Sequence, residues 1–454
     1  MSHTVEKISG SSMAAFDAVL DNIILKPEPR ARYNRILVIP AYQGITDALL
    51  ESKKNHEPGV YHYALDGSNL WESKLDSVIQ RLLLVNESVF ADPMLRRKAD
   101  DFIIKRSSDS RRWIRENLST KRHQTKIRER LAAIGEAHSA YNTALKAERY
   151  GVQTKFIDLT DSSNDSDQSF DTKVRNNLED VDLSCELPVV AAYSSHEINN
   201  TFQHDRRYGD LTLSRIAAIT DAKQAVIHKS HHLSSGDPIL IGESQVSPMS
   251  NSNYQVVNQL SALSNEVVHP AALAELSQKN IDLQVKCTFE PDHPGTFISR
   301  SHRSTSHKVE LVSGKEDVCA LKIEVKDDSI DLKQLEQQIQ LQSEFSLLHR
   351  YVKGKHVHYY FDCEPVHFGT ILTNVKKLIP DSDITIQQVA LLSVLGSKIA
   401  LEQTIQEGCN ALKKNGIKPI HTYKSGNKNS VKFIVTSAQY RAASCALHGA
   451  FLQT

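Results

Sequence analysis

The chain has almost no net charge to work with: Lys plus Arg comes to 54 and Asp plus Glu to 54 in 454 residues. Such a balance makes no global field to gather nucleic acid or an anionic membrane surface, so neither is an expected partner. Long apolar runs are missing too. None approaches the roughly 18 to 20 residues needed to cross a bilayer, and the opening MSHTVEKISGSSM has no signal-peptide hydrophobic stretch, so a cytoplasmic chain is expected. Cysteine is sparse. Cys185, Cys287, Cys319, Cys363, Cys409 and Cys445 stand singly without CxxC spacing, which argues against zinc sites and a disulfide scaffold and for reduced, structural thiols. Length, by contrast, is plentiful: 454 residues predict about two to four domains.

Strand and helix patterns alternate along the first 300 residues. His3–Ile8 reads as a short strand that runs into Ser9-Gly10-Ser11-Ser12 and a helical pattern through Met13, Phe16, Val19 and Leu20. Arg35–Ile39 is a buried strand by its β-branched density, followed by PAYQGIT and a helix from Asp47. From about Glu72 to Tyr150 the pattern is helical and heavily charged, as on the solvated face of long surface helices. Further strands are predicted at Lys155–Asp158, Pro188–Ala191, Gln224–Ile227 and Asp282–Val285, giving a mostly parallel, helix-covered α/β sheet. Asp161–Asp182 is nearly free of large apolar residues and reads as an exposed loop or flap.

SRSHRSTSH, Ser299–His307, offers no hydrophobic residue to bury and reads as an interdomain linker after a domain of residues 1–298. Beyond it a weaker pattern occurs twice. Tyr351–Gly354 before His356–Phe361 is echoed by Tyr423–Gly426 before Val431–Val435, an offset of 423 − 351 = 72 residues, and helices follow at Gly369–Leu378 and Gln439–Phe451. Two βαββαβ units, 308–385 and 386–454, are the economical interpretation. Paired units of this shape suit amino-acid binding or subunit contact.

Lys7 ahead of the small-residue loop Ile8–Ser12 suits phosphate, because small side chains let backbone N–H groups approach anionic oxygens and the next helix adds its positive end. The spacing is not that of a Walker loop. Four further segments are expected at strand-to-helix transitions, where an open α/β sheet places its ligands: Ala41–Thr46, Ile134–Ser139, Asp205–Asp210 and Ser234–Pro238. In HKSHH, which holds His228, His231 and His232, adjacent histidines on a strand point to opposite faces, so a shared metal is not expected and no metal ligands are assigned.

Taken in order, these segments resemble the aspartate kinases. Lys7-Ile-Ser-Gly-Ser-Ser12 stands where that family has Lys-Phe-Gly-Gly-Thr-Ser, and Gly135-Glu136 stands at its Gly-Glu. Asp205–Asp210 matches Gly-Arg-Gly-Gly-Ser-Asp through Arg206 and Asp210, and His269-Pro270 and Phe289–Thr296 close the domain. Val389–Gly396 is similar to the strand opening the second regulatory ACT-type domain, while HTVEKI, IGEAHSAYN and the IHK to HLSS segment are most similar to the ectoine-pathway branch.

The resemblance implies an amino-acid-kinase fold followed by two ACT-like domains, with ATP, Mg2+ and L-aspartate as ligands and a homodimer joined through the ACT-like domains. Lys7 and Asp210 would be catalytic. Thr46, Glu136 and Arg206 would bind the amino acid, and Gly10, Ser11, Lys229 and Asp237 the nucleotide. Departures from the family pattern stand at Ser9, Pro40, Arg207, Gly209, Lys229, Ser234, Ile239 and Glu266. They leave two alternatives open, a different small acceptor or a catalytically weak, amino-acid-binding regulatory subunit.

Overall fold

Seven strands of the first unit grow out of the apolar runs. They are β1 (Thr4–Ile8), β2 (Arg35–Val38), β3 (Thr154–Asp158), β4 (Leu187–Ala191), β5 (Gln224–Lys229), β7 (Asp282–Cys287) and β8 (Thr296–Ser299), with β6 (Asn251–Asn253) falling in the second unit. The computed structural model describes residues 2–52, 55–118, 123–160, 168–191, 208–264, 267–325, 335, 337 and 346–453. Two compact units share the chain: Met1–His232 with Val268–Arg300, and Leu233–Val267 with Ser301–Thr454.

In the first unit the strand order is β3-β4-β2-β1-β5-β7-β8. Neighbours pair in parallel as far as β7, and β8 closes the series antiparallel. Every residue of β2 and β4 is buried, as a parallel strand covered on both faces requires. Parallel strands also put their carboxyl ends on one edge, which carries Lys7, Asp158 and Lys229. A buried ion cluster crosses the sheet centre. Arg35 forks onto both Glu6 oxygens at 2.7 and 2.6 Å, and His228 Nε2 lies 2.9 Å from Glu6 Oε2. Burial works against the Glu6 charge, yet Arg35 and His228 together hold its carboxyl well below the usual range.

Several elements depart from the sequence reading. The segment after β1 is a tight turn at Ser12–Ala15, a single α-turn at Phe16–Val19 and a wider-wound π-type stretch at Leu20–Leu25, rather than one regular helix. The next helix starts at Ile45, because Gly44 takes φ +76° and turns the chain there. The charged region holds helices Leu70–Val89, Pro93–Asn117 and Gln124–Arg149. The third is no surface helix: Leu131–Ala140 is buried without a break, its flanking charges having masked an apolar core segment. Asp161–Asp182 is not all loop either. Ser169 caps a helix at Phe170–Leu178 whose apolar face is only Phe170, Val174 and Leu178, a stripe too thin to register in a polar run.

The second unit is built on an antiparallel sheet in the order β10-β11-β9-β12-β14-β13, where β9 is Leu311–Glu324, β10 Leu347–Lys353, β11 His356–Asp362, β12 Asp383–Leu395, β13 His421–Lys424 and β14 Ser430–Val435. The two echoed segments form the hairpins β10–β11 and β13–β14, each followed by a helix, Phe368–Leu378 and Tyr440–Leu452. β9 and β12 pair from Asp383↔Glu324 to Leu395↔Leu311, so β12 runs through 385/386 as one strand. Val389–Leu395 is buried on both sides. Leu392 and Val394 pack with Leu412, Phe433 and Leu447, and Val389 and Leu391 pack with Leu263, Val318 and Tyr360. That explains a continuous apolar run where alternation would otherwise be expected.

Candidate active site

Lys7 and Asp210 meet. Lys7 near the end of β1 places Nζ 2.7 Å from Asp210 Oδ1, with side-chain exposures of 14% and 6%. Asp210 lies in the first turn of the helix Tyr208–Ile219, whose positive end also favours anions. Its other oxygen accepts the backbone N–H of His269 at 2.9 Å. Burial pushes the Asp210 carboxyl upward, but Lys7, Lys229 and that N–H outweigh it and hold the group below its ordinary value. Gly209 has a local reason to be glycine: a Cβ there would lie 2.7 Å from Lys7 Cε and displace the ammonium.

Glu136 arrives from another direction. It sits in the middle of the helix Gln124–Arg149 and not at a strand-to-helix transition, and it is 2% exposed. The helix is held against the Ala41–Thr46 segment by Gly135, where a Cβ would collide with Ile45 Cγ2 at 2.8 Å and Ala41 Cβ at 2.9 Å, and by Ser139 Oγ, which donates to Pro40 O at 2.6 Å. Thr46 is half-buried in the helix Ile45–Leu49, next in sequence to the Ile45 that packs on Gly135. Desolvation raises the Glu136 carboxyl to about 8 despite a hydrogen bond from Tyr208 and the nearby Lys7 charge. Its Oε2 has no hydrogen-bond partner among the described residues. The remainder of the IGEAHSAYN string is structural: His138 Nε2 lies 2.6 Å from Asn86 Oδ1, deep in the core.

The loop after β1 is tied down by hydroxyls. Ser9 N–H donates to His228 O at 2.8 Å, Ser11 Oγ lies 3.2 Å from Ser230 Oγ, and Ser12 Oγ lies 2.8 Å from Thr288 Oγ1. Gly10 has open space where a Cβ would be. Neither Ser9 nor Gly10 has a positive φ, so this loop does not demand glycine at position 9. Ser9→Gly is expected to leave turnover within about twofold while lowering stability by about 0.5 kcal/mol, since glycine has more backbone freedom to lose. Steady-state kinetics and thermal melts check this; a large gain in rate would mean that Ser9 strains the loop.

Among the remaining expected residues, Lys229 ends β5 and contributes to the field at Asp210. Asp237, in the second unit, is exposed and caps the short helix Pro238–Ile241 by accepting from Ile239 N–H at 2.8 Å. Arg206, Arg207 and Glu266 lie outside the described residues. Two contributors went unassigned from sequence. Tyr208 could have been noticed as the hydroxyl opening the Asp210 helix, whereas the backbone donation from His269, 59 residues away, left no sequence signal.

Residues 3–287 match the model of the amino acid kinase family. Aspartate kinase Ask_Ect of Stutzerimonas stutzeri (strain A1501) is 34% identical over 469 residues, spanning 99% of this chain and 98% of the relative. The chain belongs to the amino acid kinase family, and within it to the aspartate kinases. Solved aspartate kinases share its fold at much lower identity. E. coli aspartokinase III, in complex with aspartate and ADP, superposes with a TM-score of 0.73 at 15% identity, each chain fully covered. Clostridium acetobutylicum aspartate kinase gives 0.68 at 18%, again with both chains fully covered. Among the described residues, no helix is long and apolar enough to cross a membrane.

Proposed function

We propose that this kinase moves the γ-phosphoryl group of magnesium-bound ATP onto the side-chain carboxylate of L-aspartate, giving 4-phospho-L-aspartate at the head of the ectoine branch. The observation that carries this reading is Glu136: a buried carboxyl with one oxygen unpartnered among the described residues, next to Tyr208 and within the field of Lys7. A buried carboxyl in that state is suited to receive a substrate ammonium, whose arrival would supply both the missing hydrogen bond and the missing charge.

Phosphoryl transfer leaves little covalent work to the protein, so each residue is assigned a positioning or charge-neutralising part. Lys7 neutralises charge on the transferring group, and Asp210 holds Lys7 in place through their 2.7 Å contact. Glu136 and Thr46 take the ammonium and remaining oxygens of aspartate, and Arg206 forks onto a carboxylate. Gly10 and Ser11 offer backbone N–H groups to phosphate, with Lys229 and Asp237 on the nucleotide. Residues 1–298 act as the catalytic domain and 299–307 as the linker. Residues 308–385 and 386–454 act as ACT-like modules that join a homodimer in the cytoplasm.

An acyl phosphate product makes a direct test. Hydroxylamine should trap it as a hydroxamate whose formation requires protein, ATP, Mg2+ and L-aspartate together. Hydroxamate with another small amino acid but not with aspartate would move the assignment to that acceptor. No hydroxamate with any acceptor, from folded protein, would overturn phosphoryl transfer.

A further inference from the structure

Three side chains remote in sequence converge past the ends of β5 and β7, apart from the pair Lys7–Asp210. His232 stands three residues beyond β5, Cys287 ends β7, and Glu290 lies in the turn toward β8. One ring nitrogen of His232, Cys287 Sγ and a Glu290 oxygen all lie within 4.8 Å of one another, and His232 Nε2 is 3.3 Å from Glu290 Oε2. A tetrahedral zinc-type centre with bonds of about 2.0–2.3 Å places its ligand atoms roughly 3.3–3.8 Å apart, so the trio must close by about 1 Å or more at its widest to coordinate. Two ligands form a dry base and one a wet rim: the His232 side chain is 8% exposed and Cys287 4%, while Glu290 is 63% exposed. That gradient gives a cation a way in.

The surroundings hold the trio in place. Gly295, at φ +74°, turns the 288–295 segment back so tightly that a Cβ there would lie 2.2 Å from Val285 O. His293 packs on His232 with ring centroids 4.2 Å apart, and its Nδ1 accepts the Gly295 N–H at 2.9 Å. A proton must then reside on His293 Nε2, which makes His293 a packing neighbour rather than a ligand. Imidazole, thiolate and carboxylate together suit a borderline-soft cation and not magnesium, which takes an all-oxygen octahedron.

We propose that His232, Cys287 and Glu290 bind one zinc-class divalent cation, leaving its fourth position to water or an external ligand. On binding, the Cys287 S–H bond breaks as the sulfur–metal bond forms, and the proton leaves to solvent. The thiol now donates to Ser230 O at 3.4 Å, so coordination also releases that carbonyl. Ser230 touches Ser11, and Thr288, next to Cys287, touches Ser12, so the cation site is linked by two hydroxyl contacts to the loop after β1. This site does not depend on the kinase reading, and its test uses no turnover.

The full-length protein, stripped with chelator and free of nucleotide, is titrated with Co2+ as the spectroscopic stand-in. One equivalent should bind with a thiolate-to-cobalt charge-transfer band that Zn2+ displaces and excess Mg2+ does not. Cys287→Ser should abolish the band, while substitution of the exposed Cys185 or Cys445 should leave it. Because Cys287 is buried and its variant could misfold, Glu290→Gln at the exposed rim is the second probe. It should weaken cobalt at least about tenfold, the loss that even indirect metal contacts produce. No charge-transfer band, a band surviving Cys287→Ser, or unchanged affinity in Glu290→Gln would each overturn the site.

Discussion

Lys7→Ala should lower turnover by about 100-fold or more, the usual cost of losing a preorganised charge aimed at a developing anion. The same change removes the nearest counter-charge of a carboxylate that is 4% exposed, so it should also lower stability at neutral pH. These two effects can be separated. In the double variant Lys7→Ala with Asp210→Asn the buried charge is gone, so the melting temperature should recover while turnover stays low. Recovery of both would make Lys7 a structural partner of Asp210 and nothing more. Near wild-type turnover in the single variant would remove the lysine from the chemistry altogether.

Glu136→Gln should raise the KM for aspartate by roughly 30-fold or more, corresponding to the approximately 2 kcal/mol or more that a buried charged hydrogen-bond partner is worth. The free protein should respond in the opposite sense. Unfolded Glu136 sheds its proton near the ordinary 4.5, whereas the folded group keeps it until about 8. Between those values the folded state binds more protons, so Glu136 makes stability fall as pH rises through the window, with the full penalty present above pH 8. The glutamine variant should escape this slope and melt higher than wild type at pH 8, with little difference at pH 4.5. Calorimetry adds an independent reading: if the ammonium drives Glu136 to ionise, aspartate binding near neutral pH should release a proton from the wild type and none from the variant. An unchanged KM together with an unchanged pH slope would take Glu136 out of the amino-acid pocket.

Strands were the most legible part of the chain. β2 and β4 are apolar on both faces, and nothing competes with a buried parallel strand for such a run. The helix carrying Glu136 was harder to place, because the Ile134–Ser139 segment reads as a strand-to-helix transition. In the structure Gly135 lets Ile45 and Ala41 approach within a distance that no Cβ would permit, so its reason is packing and not backbone conformation. Likewise, HKSHH read along one strand cannot show that His228 is held by Glu6 while the chain folds Cys287 and Glu290 toward His232. Local spacing speaks for ligands on one element. Contacts such as His269 N–H on Asp210, or Tyr208 on Glu136, arise from topology and are invisible until distant segments are brought together.

The pairing of β9 with β12, continuous across 385/386 and shifted in register only between Val389 and Leu391, gives the second unit one spine instead of two. A cut at 385/386 would therefore not yield two modules with finished surfaces. It would sever β12 after its third residue and leave much of β9 with its hydrogen-bonding groups open along one edge. Open edges of apolar strands recruit other chains, so separate fragments should stick to one another or to strangers. Although its two hairpins echo each other, this half of the protein should therefore fold as a single piece, and a truncation inside it should cost solubility.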